Sequence, residues 1–176
     1  VRTPSAQWTV TGSGAVILSD EKSPICIESI TTGKMVDLGV KDSSNMGAAM
    51  APAAADCIIT HLDDLGLEPS DYDCIITGDL GIIGSKLLVE LCFEEGLDIS
   101  GVHGDCGSMI FDPAVQNTGV GGSGCGAQRR VCFSVGFSEG KPERLSRPLF
   151  YSISAHSASA PNSSACDVTT SGRRWY

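Results

Sequence analysis

No long apolar run occurs in this chain. None approaches the roughly 18 residues that a membrane-spanning helix needs, so no helical span is expected. The opening "VRTPSAQW" lacks the apolar stretch of a secretory signal, and none is read there. Histidine is scarce at three residues and aromatics make up 6%. The cysteines show no paired zinc-ligand spacing, so no metal site is expected. No Lys-Ser or Lys-Thr pair follows the glycine-rich turn near residue 120, which excludes a phosphate-binding P-loop. No cofactor is expected.

What is present fits one globular domain. The 176 residues are 41% hydrophobic, enough for a real core. Eight cysteines are many, yet several lie inside apolar runs such as "ADCIIT" and "LVELCF", where cysteine behaves as a small buried hydrophobe. Reduced thiols and a cytoplasmic setting follow. Charge is uneven: residues 1–126 carry five basic and eighteen acidic side chains, residues 127–176 seven and three. A basic tail on an acidic domain is a common nucleic-acid signal. This tail is neither lysine-rich nor interleaved with aromatics, and no nucleic-acid partner is read from it.

The pattern along the chain alternates strands and helices. "TVTGSGAVILS" (9–19) and "ICIESITTGKMVDLG" (25–39) are β-rich runs about the turn "DEKSP", and they predict neighbouring antiparallel strands. "DSSNMG" offers N-cap oxygens before an alanine-rich helix. Its face carries Ala54, Ile58, His61, Leu62 and Leu65, and Gly66 stops it. Pro52 is expected in the first turn or at a kink. "CIIT" (74–77) is a short buried strand, "SKLLVELCFEEG" a second helix, and "DCGSMIFD" (105–112) a strand or buried loop. Helical crossovers between strands predict a layered α/β fold with some parallel pairing. After residue 127 neither period persists, and "SRPLFYSISAHSASAPNSS" reads as low-complexity loop.

Several constellations could carry chemistry. Gly119 to Gly124 spell G-x-G-x-x-G, but a turn precedes them where the dinucleotide fingerprint needs a strand. A structural bend whose N–H groups could face an anion is the favoured reading. His103 with Cys106 or Cys125 raises a Cys–His nucleophile, although such pairs usually meet through the fold, and structural cysteines are favoured. His61, on an apolar helix face, reads as a satisfied core histidine. Asp79 follows a buried strand, where open α/β sheets place ligand-binding residues; it would serve equally as the N-cap of the next helix.

Taken together, "TVTGSGAVILS", "VDLGVKDSSNMGAAMAPAAADCI", "PSDYDCIITGDLG", "DCGSMIFD" and "GGSGCG" resemble the stage V sporulation protein AD family of endospore-forming bacteria, within the thiolase-like superfamily. The resemblance covers about residues 9–126. It implies a thiolase-like α/β fold, layered helices around a mixed sheet, with this chain as the C-terminal half of the duplication. It implies a non-catalytic protein that binds dipicolinic acid for the developing spore. Such a protein would work at the forespore or spore inner membrane, beside membrane proteins of the same sporulation operon, and a homodimer is compatible.

The superfamily's condensing enzymes provide the alternative, an acyltransferase of the thiolase or ketoacyl-synthase type. They place a histidine where this chain reads Thr77-Gly78-Asp79, and an asparagine or histidine near Gly122-Ser123-Gly124-Cys125. Missing donors there argue against condensation, which needs them to stabilise enolate and oxyanion charge. Those seven residues, Thr77, Gly78, Asp79, Gly122, Ser123, Gly124 and Cys125, are the candidate ligand-binding set, with no catalytic residue among them. Residues 1–126 are expected to form the half-domain. Residues 127–176 depart from the family pattern and are expected to be a frameshifted or poorly ordered tail, leaving two core strands missing. The chain then reads as a fragment beginning mid-protein.

Overall fold

The computed structural model describes residues 8–12, 15, 17–21, 27–42, 44–78, 80–112, 115, 122–123, 148–156 and 163–171. Its elements in chain order are β1 (Trp8–Thr9), β2 (Ser29–Thr31), β3 (Met35–Val36), α1 (Met46–Leu65), β4 (Cys74–Thr77), α2 (Gly81–Glu94), β5 (His103–Asp105), α3 (Cys106–Met109), β6 (Gly122–Ser123), β7 (Pro148–His156) and β8 (Ser163–Ser171). A 3-10 turn, Pro69–Asp71, leads into β4.

Both long helices follow from their sequences. The Asn45 side chain accepts the Ala48 N–H at 3.2 Å and so caps α1. Gly66 ends it in the left-handed conformation at φ 61, which glycine adopts without a Cβ penalty. Pro52 lies inside α1 and removes one backbone hydrogen bond, but the helix continues through it to Leu65. Ala54, Ile58, His61 and Leu62 of the expected face are buried; Leu65 is exposed.

The main sheet runs β2-β8-β7-β4-β5, with β3 also beside β8. β4 is parallel to both β5 and β7, while β8 is antiparallel to β7, β2 and β3. The sheet is therefore mixed, as expected. Helix α1 lies against β7, β8 and α2. One core joins Ile58 and Leu62 of α1, Leu88 and Cys92 of α2, Ile75 of β4, and Leu149 of β7. Each large side chain taken fully out of water contributes roughly 1.5–3 kcal/mol, so this contiguous cluster outweighs any single polar contact in the fold.

Two expectations are corrected. The runs 9–19 and 25–39 do not pair with each other among the described residues. Trp8–Thr9 pairs in parallel with Gly122–Ser123, whereas Ser29–Thr31 and Met35–Val36 pair with β8. A turn signal between two β-rich runs does not choose their partners; available edges elsewhere do. The second correction concerns the reading of 146–164 as low-complexity loop. Strands β7 and β8, nine residues each, lie beyond residue 127 and fill the sheet between β4 and β2. Serines interleaved with Leu149, Phe150, Tyr151 and Ile153 mask a β-forming run that a serine count reads as low complexity.

The α1–α2 crossing depends on two glycines. A Cβ on Gly84 would stand 2.8 Å from Gly47 Cα and 2.9 Å from Gly47 O, and a Cβ on Gly47 would clash with the Leu80 carbonyl. No larger residue lets the two backbones meet so closely.

Candidate functional site

The carboxyl ends of β4 and β5 and the start of α2 converge on one carboxylate. Asp105, the last residue of β5 and only 3% exposed, accepts the Leu80 N–H through Oδ1 at 2.9 Å and the Gly81 N–H through Oδ2 at 2.8 Å. Thr77, the last residue of β4 and fully buried, donates its hydroxyl to Asp105 Oδ1 at 2.8 Å. Ser108 of α3 adds longer bonds, 3.3 Å to the Asp105 carbonyl and 3.5 Å to Oδ2. Helix amino ends leave N–H groups without intrahelical partners and carry partial positive charge. Asp105 answers both needs from a neighbouring strand. Gly81 begins α2 at φ 64, a left-handed conformation that brings its N–H to the carboxylate.

His103 completes the cluster. Its Nε2 lies 3.0 Å from Thr77 Oγ1, and Thr77 also lies 3.4 Å from the Gly104 carbonyl. His103 and Asp105 sit two residues apart on one strand, and register pairs them with Ile75 and Thr77 on β4. Period-two geometry puts all four on one face of the sheet. Burial holds the His103 imidazole below its ordinary pKa, and the Asp105 charge partly opposes that.

A second buried polar chain lies elsewhere. His61 Nδ1 is 2.7 Å from Thr31 Oγ1 and its Nε2 is 2.8 Å from the Tyr72 hydroxyl. This ties α1 to β2 and to the turn before β4, and His61 is the satisfied core histidine its position predicts.

The candidate residues are placed as follows. Thr77 and Gly78 are buried at the end of β4, and the Thr77 hydroxyl is committed to Asp105. Gly122 and Ser123 form β6, which packs against α3. The β5–α3 corner thus touches Thr77 on one side and β6 on the other. Asp79, Gly124 and Cys125 lie outside the described residues. Among the described residues, the capping bonds at the start of α2 come from Asp105, not from a residue next to the helix. Sequence reasoning missed Asp105 and saw His103 only as a partner for cysteine. The available signal was the pair His103-x-Asp105 at strand spacing.

No described cysteine is set up as a nucleophile. Cys57, Cys92 and Cys106 are fully buried and Cys74 half-buried, and none of the four is in a disulfide. Burial pushes the Cys92 thiol up to about 12, far from the thiolate that reacts. Among the described residues no group of three or more His, Cys, Asp or Glu could hold a metal ion, and no helix is long and apolar enough to cross a membrane.

These features define a layered α/β protein with a self-satisfied polar cluster at the carboxyl ends of its parallel strands. The chain belongs to the stage V sporulation protein AD family, whose model matches residues 1–164. It is 44% identical over 143 residues to stage V sporulation protein AD of Bacillus subtilis (strain 168), covering 81% of this chain and 42% of that protein. The chain therefore spans about two fifths of the length of the curated relative it matches. Among solved structures it is similar to AbyA1, a tetronic acid condensing enzyme, at 15% identity and a TM-score of 0.49, over 89% of this chain and 50% of the other.

Proposed function

We propose that this chain serves a protein that binds dipicolinic acid without turning it over, at the surface of the forespore or spore inner membrane. Membrane proteins of the same sporulation operon, and a second copy of the chain, are the partners this reading names. Family membership supports the sporulation role. The observation that carries the non-catalytic part is the spending of polar groups at the strand ends. Acyl condensation needs donors aimed at developing oxyanion charge. Here the Thr77 hydroxyl and the first N–H groups of α2 are already bonded to Asp105. A buried carboxylate in that position disfavours a second developing negative charge beside it. Cys106, next to the cluster, is fully buried.

Calorimetric titration of the chain with dipicolinate tests the reading, run beside an acyl-CoA transfer assay. Saturable binding with no acyl transfer is expected. A covalent acyl adduct on a cysteine would replace this reading with the acyltransferase one. Absence of any dipicolinate binding would sink it.

A further inference from the structure

One edge of the main sheet exposes large apolar side chains. β2 pairs Ser29, Ile30 and Thr31 with Ser171, Thr170 and Thr169, and β3 pairs Met35 and Val36 with Ala165 and Ser164. Both strands keep the same register on β8, so residues 29–36 run along it as one extended edge. Among the described residues the sheet ends there: β2 closes the strand order, and residues 15 and 17–19 are not in strands.

Thr31 turns inward and meets His61, whereas Ile30 is 59%, Met35 62% and Leu38 67% exposed, and Ile27 is exposed as well. Apolar side chains on an open edge favour pairing with another chain, and edges that stay single are usually blunted by charge, often lysine. Here the exposed charges are one of each sign. Glu28 and Lys34 stand three residues to either side of Thr31. Lys34 Nζ reaches Asp56 of α1 at 2.6 Å, yet its side chain stays 71% exposed.

Two identical edges form a closed pair when they run antiparallel about a two-fold axis normal to the sheet. Such an axis keeps each face on its own side, so opposed residues must differ by an even number of positions. Centred on Thr31, it sets Ile27 against Met35, Glu28 against Lys34 and Ile30 against Thr32 of the second copy. Centred on Thr32, it would set Ile30 against Lys34 and Glu28 against Val36. Centred on Ile30, it would leave Glu28 facing Thr32. Opposite charges and apolar pairs directly across a ladder stabilise it, so the Thr31 register is the favoured one.

We propose that the edge 27–36 is a docking surface for a second copy of this chain, paired antiparallel about Thr31 into one continuous sheet. The contact of Ile27 with Met35 and the ion pair of Glu28 with Lys34 then form twice, once on each side of the axis. This surface stands whether or not the chain binds dipicolinate.

Light scattering of the full chain after size exclusion is expected to give twice the 18.3 kDa monomer mass. Glu28→Lys and Lys34→Glu each set like charges across the axis at both contacts, and each alone should weaken the dimer about tenfold or more. Circular dichroism spectra matching wild type keep that loss from being read as unfolding. Mixed together, each variant supplies the charge the other lacks, and a heterodimer should form where neither pairs with itself. A monomeric wild type overturns the proposal and assigns the edge to a different partner. A dimer that both variants form as well as wild type does overturns it too, because the contact then lies elsewhere. Variants that dissociate but fail to pair when mixed overturn the register and the proposal with it. None of these outcomes depends on dipicolinate, so this inference and the ligand-binding reading fail separately.

Discussion

Asp105 Oδ2 accepts the Gly81 N–H at 2.8 Å, so the last residue of one strand caps a helix that starts 24 positions earlier in the chain. The same carboxyl group holds Leu80 and Thr77, which makes it the joint between β4, β5 and α2. The loop between β4 and α2 owes its course to a residue outside it.

Removing that joint should be costly. Asp105→Ala leaves two backbone N–H groups and a buried hydroxyl without their acceptor, and a loss of roughly 2–4 kcal/mol in unfolding free energy is expected. Asp105→Asn keeps one acceptor oxygen and should lose less. Urea unfolding of both variants checks the order, and equal losses would contradict the capping role.

Gly84→Ala sets two effects against each other. Alanine is the better helix former by about 1 kcal/mol. Its Cβ would stand 2.8 Å from the Gly47 backbone, and overpacking of that kind costs about 1–3 kcal/mol. The net expectation is destabilisation. Gly101→Ala, with nothing within 4 Å, is the control and should leave the melting temperature unchanged.

Stability should fall on mild acidification. Burial lowers the native His103 pKa, so between the ordinary value near 6.5 and that lowered value the unfolded chain binds a proton that the native ring resists. Unfolding free energy then declines as pH falls below about 6.5 and levels off once the native ring also protonates. In H103Q this component of the slope should vanish; an unchanged pH profile by denaturant titration would place the dependence on another group.

Cys92 should resist alkylation in the native protein. With its thiol pushed up to about 12 and fully buried, almost no thiolate exists near pH 8. Iodoacetamide labelling followed by peptide mass mapping should find Cys92 unmodified until denaturant is added. Rapid native labelling would mean that α2 opens locally at low cost.

Tyr72→Phe removes the hydroxyl 2.8 Å from His61 Nε2 in a fully buried setting. A loss of about 1–3 kcal/mol is expected, measured as a drop in melting temperature. No change would mean that the ring nitrogen finds another partner without strain.

Local chemistry made much of this protein legible from its sequence. Asn45, the apolar period through Ala54, Ile58 and Leu62, and the left-handed Gly66 define α1, because caps and helical faces involve residues a few positions apart. The buried run 74–77 and the buried histidine at 61 follow from the same short-range rules, and the quoted motifs reveal the family. Pairing is another matter. Which strand lies beside β4, where β8 closes the sheet, and that 148–156 forms a strand despite its serines all depend on edges far away in the chain. The cluster of Thr77, His103 and Asp105 belongs with these, since it joins residues 26 to 28 positions apart. Side-chain periodicity carries no information about such distances; only folding of the sheet brought Asp105 to the start of α2.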